Sequence, residues 1–167
     1  AVYYPWIRVP GAPEGALNPG FAPPCGFVAG VYARCDENTG VHKAPANEVL
    51  EDVIDLEVAL RDADQAELNP EGINCLRAFR GRGIRVWGAR TLSRLPSWTY
   101  INVRRLFLTA ARWISLYMED FSFEPADISL MARVERELNA YLTRLHASGA
   151  LRGSTPAEAF YVKCDDE

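Results

Sequence analysis

Residues 72–90 read GINCLRAFRGRGIRVWGAR. Two runs rich in apolar, β-branched and aromatic residues, GINCLRAF and IRVWGAR, flank Gly81-Arg82-Gly83, and this pattern predicts two strands joined by a tight turn. Glycines at such a point supply backbone conformations closed to other residues, or let the backbone approach a neighbour. The GRGIR stretch invites comparison with a phosphate-binding loop. It has neither GxGxxG nor the GKS or GKT ending of a P-loop, and it lies between strands rather than ahead of a helix, so it is read as a turn.

Upstream, AVYYPWIRV at residues 1–9 predicts a strand, with Pro5 at an edge or bulge. Five prolines and four glycines between Pro10 and Gly26 predict a long surface connection. Pro23 and Pro24 preset a helix start for CGFVAGVYAR, whose glycines weaken it. Asn47 is placed to cap a helix running to about Ile54, followed by a short strand, and DQAELN predicts one helical turn ending at Asn69-Pro70.

Downstream, Asn102 is expected to cap a helix over about 102–118, with Val103, Leu106, Phe107, Ala110, Ile114 and Tyr117 on its apolar face. Asp127 opens a second long amphipathic helix over about 127–148, stopped by Gly149. Ser154-Thr155-Pro156 opens a short helix, and AFYVKC is expected to return as a strand. Interleaved strands and helices give an α+β class of α/β-like character: a mixed sheet packed with two long helices and shorter ones. The expected organisation is a single domain over 1–167, with strand 1–9, loop 10–26 and core 27–167.

The formal net charge of −4 hides an asymmetry. From Ile73 to Met118 there are nine arginines and no acidic residue, so the other 121 residues carry nine basic side chains against 22 acidic ones. Such a field points to partners rather than to fold. With Trp87, Trp98, Tyr100 and Trp113 interleaved, the segment 77–113 suits nucleic acid through phosphate contacts and base stacking. It equally suits pairing with the chain's own carboxylates of 48–71, or an acidic protein partner, including another copy. A sequence pI of 5.3 weighs against a dedicated nucleic-acid binder.

Signals for chemistry are weak. Cys25, Cys35, Cys75 and Cys164 match no zinc or CxxC spacing and read as free thiols, and neither His42 nor His146 has companions for a metal set. GxSxG and HExxH do not occur, and the acidic pairs Glu51 with Asp55 and Asp62 with Asp64 sit in a stretch best read as a solvated face. No catalytic residue, metal ligand or cofactor site is expected, and the chain is read as a non-enzyme. No apolar run approaches a membrane span and no signal peptide is recognised, so neither membrane insertion nor secretion by a cleaved leader is expected.

The ordered series AVYYPWIRV, APPCGFVAGVYARCDENTGVHKAPANE, LNPEGINCLRAFRGRGIRVWGARTLS, WTYINVRRLF, FEP and GALRGSTPAEAFYVKCDDE resembles the contractile tail sheath proteins of bacteriophages, R-type pyocins and related injection systems. GRGIRVWGARTL followed by YINVRRLF is its most specific part. The resemblance implies a structural subunit, from the inner core domain of a sheath that stacks helically around a tube and contracts to drive it through a target envelope. Implied partners are other sheath subunits, the inner tube protein, the baseplate and the tail terminator, with no nucleic acid among them. The implied location is a virion tail or injection particle assembled in the host cytoplasm. Sheath subunits are linked by terminal arms that add strands to neighbouring copies, and contraction is rigid-body rotation of the linked bodies. The family's outer domain and both arms look absent from these 167 residues, and 113–123 looks shorter and less acidic than usual. Candidate residues for a tube or subunit interface are Arg104, Arg105, Arg112, Arg82 and Arg85, with the helix start at Asp127 as an alternative surface. A nucleic-acid-binding module using 77–113 is the competing function.

Overall fold

The computed structural model describes residues 1–11 and 20–164. The chain divides into two compact units, Ala1–Arg105 and Leu106–Glu167.

In the first unit, β1 (Val2–Tyr4) and β2 (Ile7–Arg8) stand where one strand was expected, with a cis Tyr4–Pro5 bond between them. Each joins a different sheet. Beyond them lie β3 (Phe21–Ala22), α1 (Cys25–Asn38), β4 (Glu48–Val49), β5 (Asp55–Leu56), α2 (Asp62–Leu68), β6 (Ile73–Phe79) and β7 (Gly83–Trp87). One sheet runs β1-β6-β7-β4, with β1 parallel to β6 and the other neighbours antiparallel; the second, β3-β2-β5, is antiparallel. This is the expected mixed, α+β architecture. Part of the connection expected over 10–26 lies outside the described residues; of the rest, Phe21–Ala22 pairs with β2 and Cys25 opens α1.

The hairpin of residues 72–90 is the centre of this unit. Leu76 faces Val86 across β6 and β7, and both are fully buried. Val28, Val31 and Cys35, at helical spacing on α1, bury one face in the same cluster with Ile7, Leu50, Leu56 and Ile84. Burying each large aliphatic side chain there contributes about 1.5–3 kcal/mol. That tertiary gain outweighs the helix cost of Gly26 and Gly30, so α1 runs 14 residues despite them.

Among the described residues, one polar residue is buried. Asn74 is fully buried, and its carboxamide donates to the Val2 and Arg90 carbonyls, at 3.1 and 2.8 Å, and accepts from Arg90 N–H at 2.7 Å. Gly88 makes this possible, since a Cβ there would stand 2.8 Å from Asn74 Oδ1. At Gly72, φ is +81° and a Cβ would meet the Thr91 carbonyl oxygen at 2.4 Å. The glycines bracketing the hairpin are therefore fixed by close approach as well as by turning.

The helix expected after Asn47 does not form. Asn47 and Asp52 adopt left-handed conformations, with φ of 59° and 57°. Asn47 N–H donates to the Val86 carbonyl at 2.7 Å, and Leu50 N–H to the Ile84 carbonyl at 2.9 Å. The open edge of β7 captures this segment as β4, satisfying backbone groups that an isolated short helix would leave at its ends. The helical turn expected at DQAELN is α2, whose start Asp64 stabilises by accepting the Arg61 N–H at 2.8 Å.

The long helix α3 (Ile101–Glu119) starts in the first unit. Asn102 lies inside it rather than capping it, and donates to the His42 carbonyl at 2.9 Å. Ile101 N–H donates to Ala89 O at 3.0 Å beside an antiparallel bridge between Arg90 and Tyr100. These contacts hold the helix start, so a side-chain cap is dispensable.

The second unit contains the rest of α3, then α4 (Ile128–Ala147) and α5 (Pro156–Ala159). Asp127 caps α4 as expected, accepting Leu130 N–H at 2.8 Å, and Gly149, at φ +78°, follows its end. Trp113 stacks on Tyr141 of α4 with ring centroids 4.0 Å apart and planes 5° apart, and on Tyr117 at 5.4 Å. The half-buried residues of α3 include Val103, Leu106, Ala110, Ile114 and Tyr117 of the expected face, joined by Trp113, whereas Phe107 stays 58% exposed. The strand expected for AFYVKC is not formed by Phe160–Cys164, and Tyr161 is exposed.

Candidate assembly interface

The nine arginines of 73–118 divide by what their guanidinium groups meet. Arg77 donates to Asp62 at 2.7 Å and Gln65 at 2.8 Å, and lies over the Phe79 ring. Arg82 donates to Asn47 Oδ1 at 3.0 Å, and Arg85 to the carbonyls of Asn47 and Arg82 at 2.6 and 2.9 Å. Both thereby hold the left-handed turn that leads into β4.

Arg105 is paired more specifically. It grips Asp36 with two parallel hydrogen bonds of 2.9 and 2.5 Å, and its guanidinium covers the Tyr32 ring at 4.7 Å. The Tyr32 hydroxyl meets the Tyr3 hydroxyl at 2.6 Å. Burial pushes the Tyr3 phenol well above its ordinary range and raises Tyr32 as well; the bond to Asp36 raises the Arg105 guanidinium. Fork-to-carboxylate pairing of this kind fixes geometry, so Arg105 ties the first turn of α3 to α1.

Arg104, one residue earlier, is exposed and lies over the Trp98 ring at 4.7 Å. Arg80, Arg94 and Arg112 are exposed too. The five candidates thus differ in exposure and in what they bond. Arg104 and Arg112 face solvent, Arg82 is exposed while bonded to Asn47, and Arg85 and Arg105 brace local structure. Among the described residues, Arg77 and Arg105 are the members of the nine that form ion pairs, and of those only Arg77 uses the 48–71 stretch.

The tryptophans of this segment are occupied. Trp87 packs on Phe79 at 4.6 Å, Trp98 lies under Arg104, and Trp113 is stacked on two tyrosines. A row of aromatic faces open to bases is therefore not presented by Trp87, Trp98 and Trp113. Among the described residues, no group of three His, Cys, Asp or Glu side chains could hold a metal ion, and no helix is long and apolar enough to cross a membrane. The thiols of Cys35 and Cys75 are buried, which raises their pKa.

Sequence reasoning missed two surfaces. Leu92 and Leu95 are 56% and 61% exposed beside a hollow of about 360 Å³ lined by Thr91, Ser93, Leu95, Trp98 and Arg104. Phe123, in the turn between α3 and α4, is 102% exposed, and Ile128, at the start of α4, 85%. The readable signal was FSFEP, two phenylalanines among carboxylates in a segment too short to bury both.

The phage tail sheath protein central domain matches residues 1–92, more than half of the chain. The tail sheath protein of Vibrio phage KVP40 is 31% identical over 150 residues, which is 87% of this chain and 22% of that protein. Two solved structures are similar throughout. A chain of the anti-feeding prophage (AFP) baseplate shares 44% identity with a TM-score of 0.87, over 95% of this chain and 42% of that one. A chain of the PVC sheath complex in the contracted state, from an extracellular contractile injection system, shares 38% identity with a TM-score of 0.83, over 93% of this chain and 42% of that one. The 167 residues thus span about a fifth of the viral relative and less than half of each solved chain. With that family domain matched over more than half of its length, the chain belongs to the phage tail sheath protein family.

Proposed function

We propose that this chain is the core of a contractile sheath subunit, which polymerises helically around an inner tube and contracts to drive the tube through a target cell envelope. The observation that carries this reading is 38% identity with a TM-score of 0.83 over 93% of the chain to a chain of the PVC sheath complex in the contracted state. In this reading the two units serve together as one core domain. Its partners are further copies, the tube protein, the baseplate and the terminator, and it assembles in the host cytoplasm without inserting into a membrane. The role is structural rather than catalytic, and it needs no cofactor.

The solvent-facing arginines suit contacts that must form and then break. Charged contacts at an exposed rim set register and partner choice while adding modest affinity, and salt screens them. Arg104, Arg112 and Arg82 offer such contacts to a tube or a neighbouring subunit; Arg105 and Arg85 hold the elements that present them. Reversing charge at Arg104 and Arg112 in the full-length subunit should weaken tube-templated assembly, measured by electron microscopy across a salt series. Unchanged assembly at every salt concentration would count against the assignment.

A further inference from the structure

We propose that the turn between α3 and α4 of one copy docks onto the basic, apolar shelf around Leu95 and Arg104 of a second copy, with Phe123 as the anchoring side chain. This rests on the sheath reading and names the partner of one surface within it.

The turn is built to present Phe123. Hydrogen bonds from Ser122 N–H to Glu119 O, Glu124 N–H to Phe121 O and Asp127 N–H to Pro125 O, at 3.2, 3.0 and 2.9 Å, fold it tightly. Within it Phe121 turns inward, edge-on to Tyr117 at 4.9 Å and beneath the Arg133 guanidinium at 4.6 Å. Phe123, two residues on, is left wholly in solvent beside the exposed Ile128. Burying an aromatic ring is among the largest apolar gains one side chain can make, and exposed aromatics of this kind mark contact surfaces.

Charge selects the partner. Residues 119–128 carry four carboxylates and no basic residue. Glu124 pairs with Arg133, which leaves Glu119, Asp120 and Asp127 around the exposed ring. The shelf is its complement: residues 89–104 hold Arg90, Arg94 and Arg104 and no acidic residue. Among the described residues no carboxylate forms an ion pair with Arg94 or Arg104. Glu71 lines the adjoining hollow with Arg90 and Arg94, so the balance there stays basic. Leu92 and Leu95 supply exposed apolar area, and the hollow of about 360 Å³ between Leu95 and the Arg104–Trp98 stack admits an aromatic ring.

Acidic turn and basic shelf lie on different parts of the same chain, so each copy offers one of each. A contact joining unlike patches is heterologous; repeated, it generates a ring or an open helix rather than a closed pair.

The test uses the full-length subunit. Benzoylphenylalanine is placed at position 123 of isotopically heavy subunit, which is mixed with light subunit, polymerised and irradiated. Crosslinks from the heavy chain to light residues 89–104 are expected; crosslinks confined to the same copy, to another protein or to a different face of the second copy overturn the proposal. In parallel, Phe123→Ala and Arg104→Glu should each raise the subunit concentration needed for polymer about tenfold. Adding Asp120→Arg to Arg104→Glu should recover most of that loss. All three residues are exposed, so each variant is expected to keep the wild-type melting temperature. Wild-type assembly by both single variants overturns the docking assignment and leaves the sheath reading standing, whereas failure of the wild-type subunit to polymerise overturns both.

Discussion

The two units stabilise themselves in different ways. In Ala1–Arg105 the hairpin, α1 and two sheets enclose a cluster of fully buried aliphatic side chains, together with a buried Asn74 whose polar atoms are all bonded. In Leu106–Glu167 the buried residues are Val134 and Tyr141 of α4, while Phe107, Leu108, Leu116, Met118, Phe123 and Ile128 stand substantially exposed. The first unit is organised around its own interior, and it leaves apolar area open at places such as Ile54, Leu92 and Leu95. The second keeps apolar area in reserve, so its sequence answers to what it will touch.

The largest effect that could break this contrast is a core truncation. Leu76→Ala should destabilise the chain by about 2–5 kcal/mol in urea unfolding, whereas Leu108→Ser, on the exposed side of α3, should change it by less than about 0.5 kcal/mol. Equal losses would erase the distinction. Of middle size, Asn74→Ala removes three hydrogen bonds from groups buried around it and should cost about 1–3 kcal/mol. A loss no larger than that of an exposed polar residue would mean that water replaces the carboxamide.

The smallest effect comes from the rim of the first unit, where Lys43 bonds to Glu48. That bond holds the Glu48 carboxyl below its ordinary value, against the opposing push of partial burial, and the same bond raises Lys43. A depressed carboxyl contributes stability above its unfolded value, near 4.3, and loses it as pH falls through the lower folded value. A raised amine contributes below its unfolded value and loses that as pH rises through its folded one. Glu48→Gln should therefore flatten the acid limb of a melting-temperature profile, by less than about 1 kcal/mol because solvent screens a partly exposed pair. An unchanged acid limb would place the pair outside the stability balance.

What could be read from the sequence was local. Strands at 73–79 and 83–87 follow from runs of β-forming residues interrupted by glycine, and α4 from Asp127 and Gly149 at its ends. What could not be read depended on a distant partner. Asn47 to Ile54 has helical spacing, but β7, over thirty residues later, takes its backbone bonds, and Asn and Asp tolerate the left-handed turns this needs. The candidate site failed for the same reason. Arg105 resembles its neighbour Arg104 in sequence, yet its carboxylate partner, Asp36, lies 69 positions earlier and outside the acidic stretch that invited pairing.

The split N-terminal strand has a mechanical consequence. Three residues of β1 lie parallel to β6 in the register Val2 to Ile73, Tyr3 to Asn74 and Tyr4 to Cys75, and Asn74 adds a side-chain bond to the Val2 carbonyl. Ile7 and Arg8, a few residues on, pair with strands of the other sheet on both sides. Tension along residues 1–9 therefore loads hydrogen bonds of two sheets in shear, several at once, instead of peeling them one by one. A nine-residue segment so anchored can transmit a pull into the body of the first unit without unzipping from it.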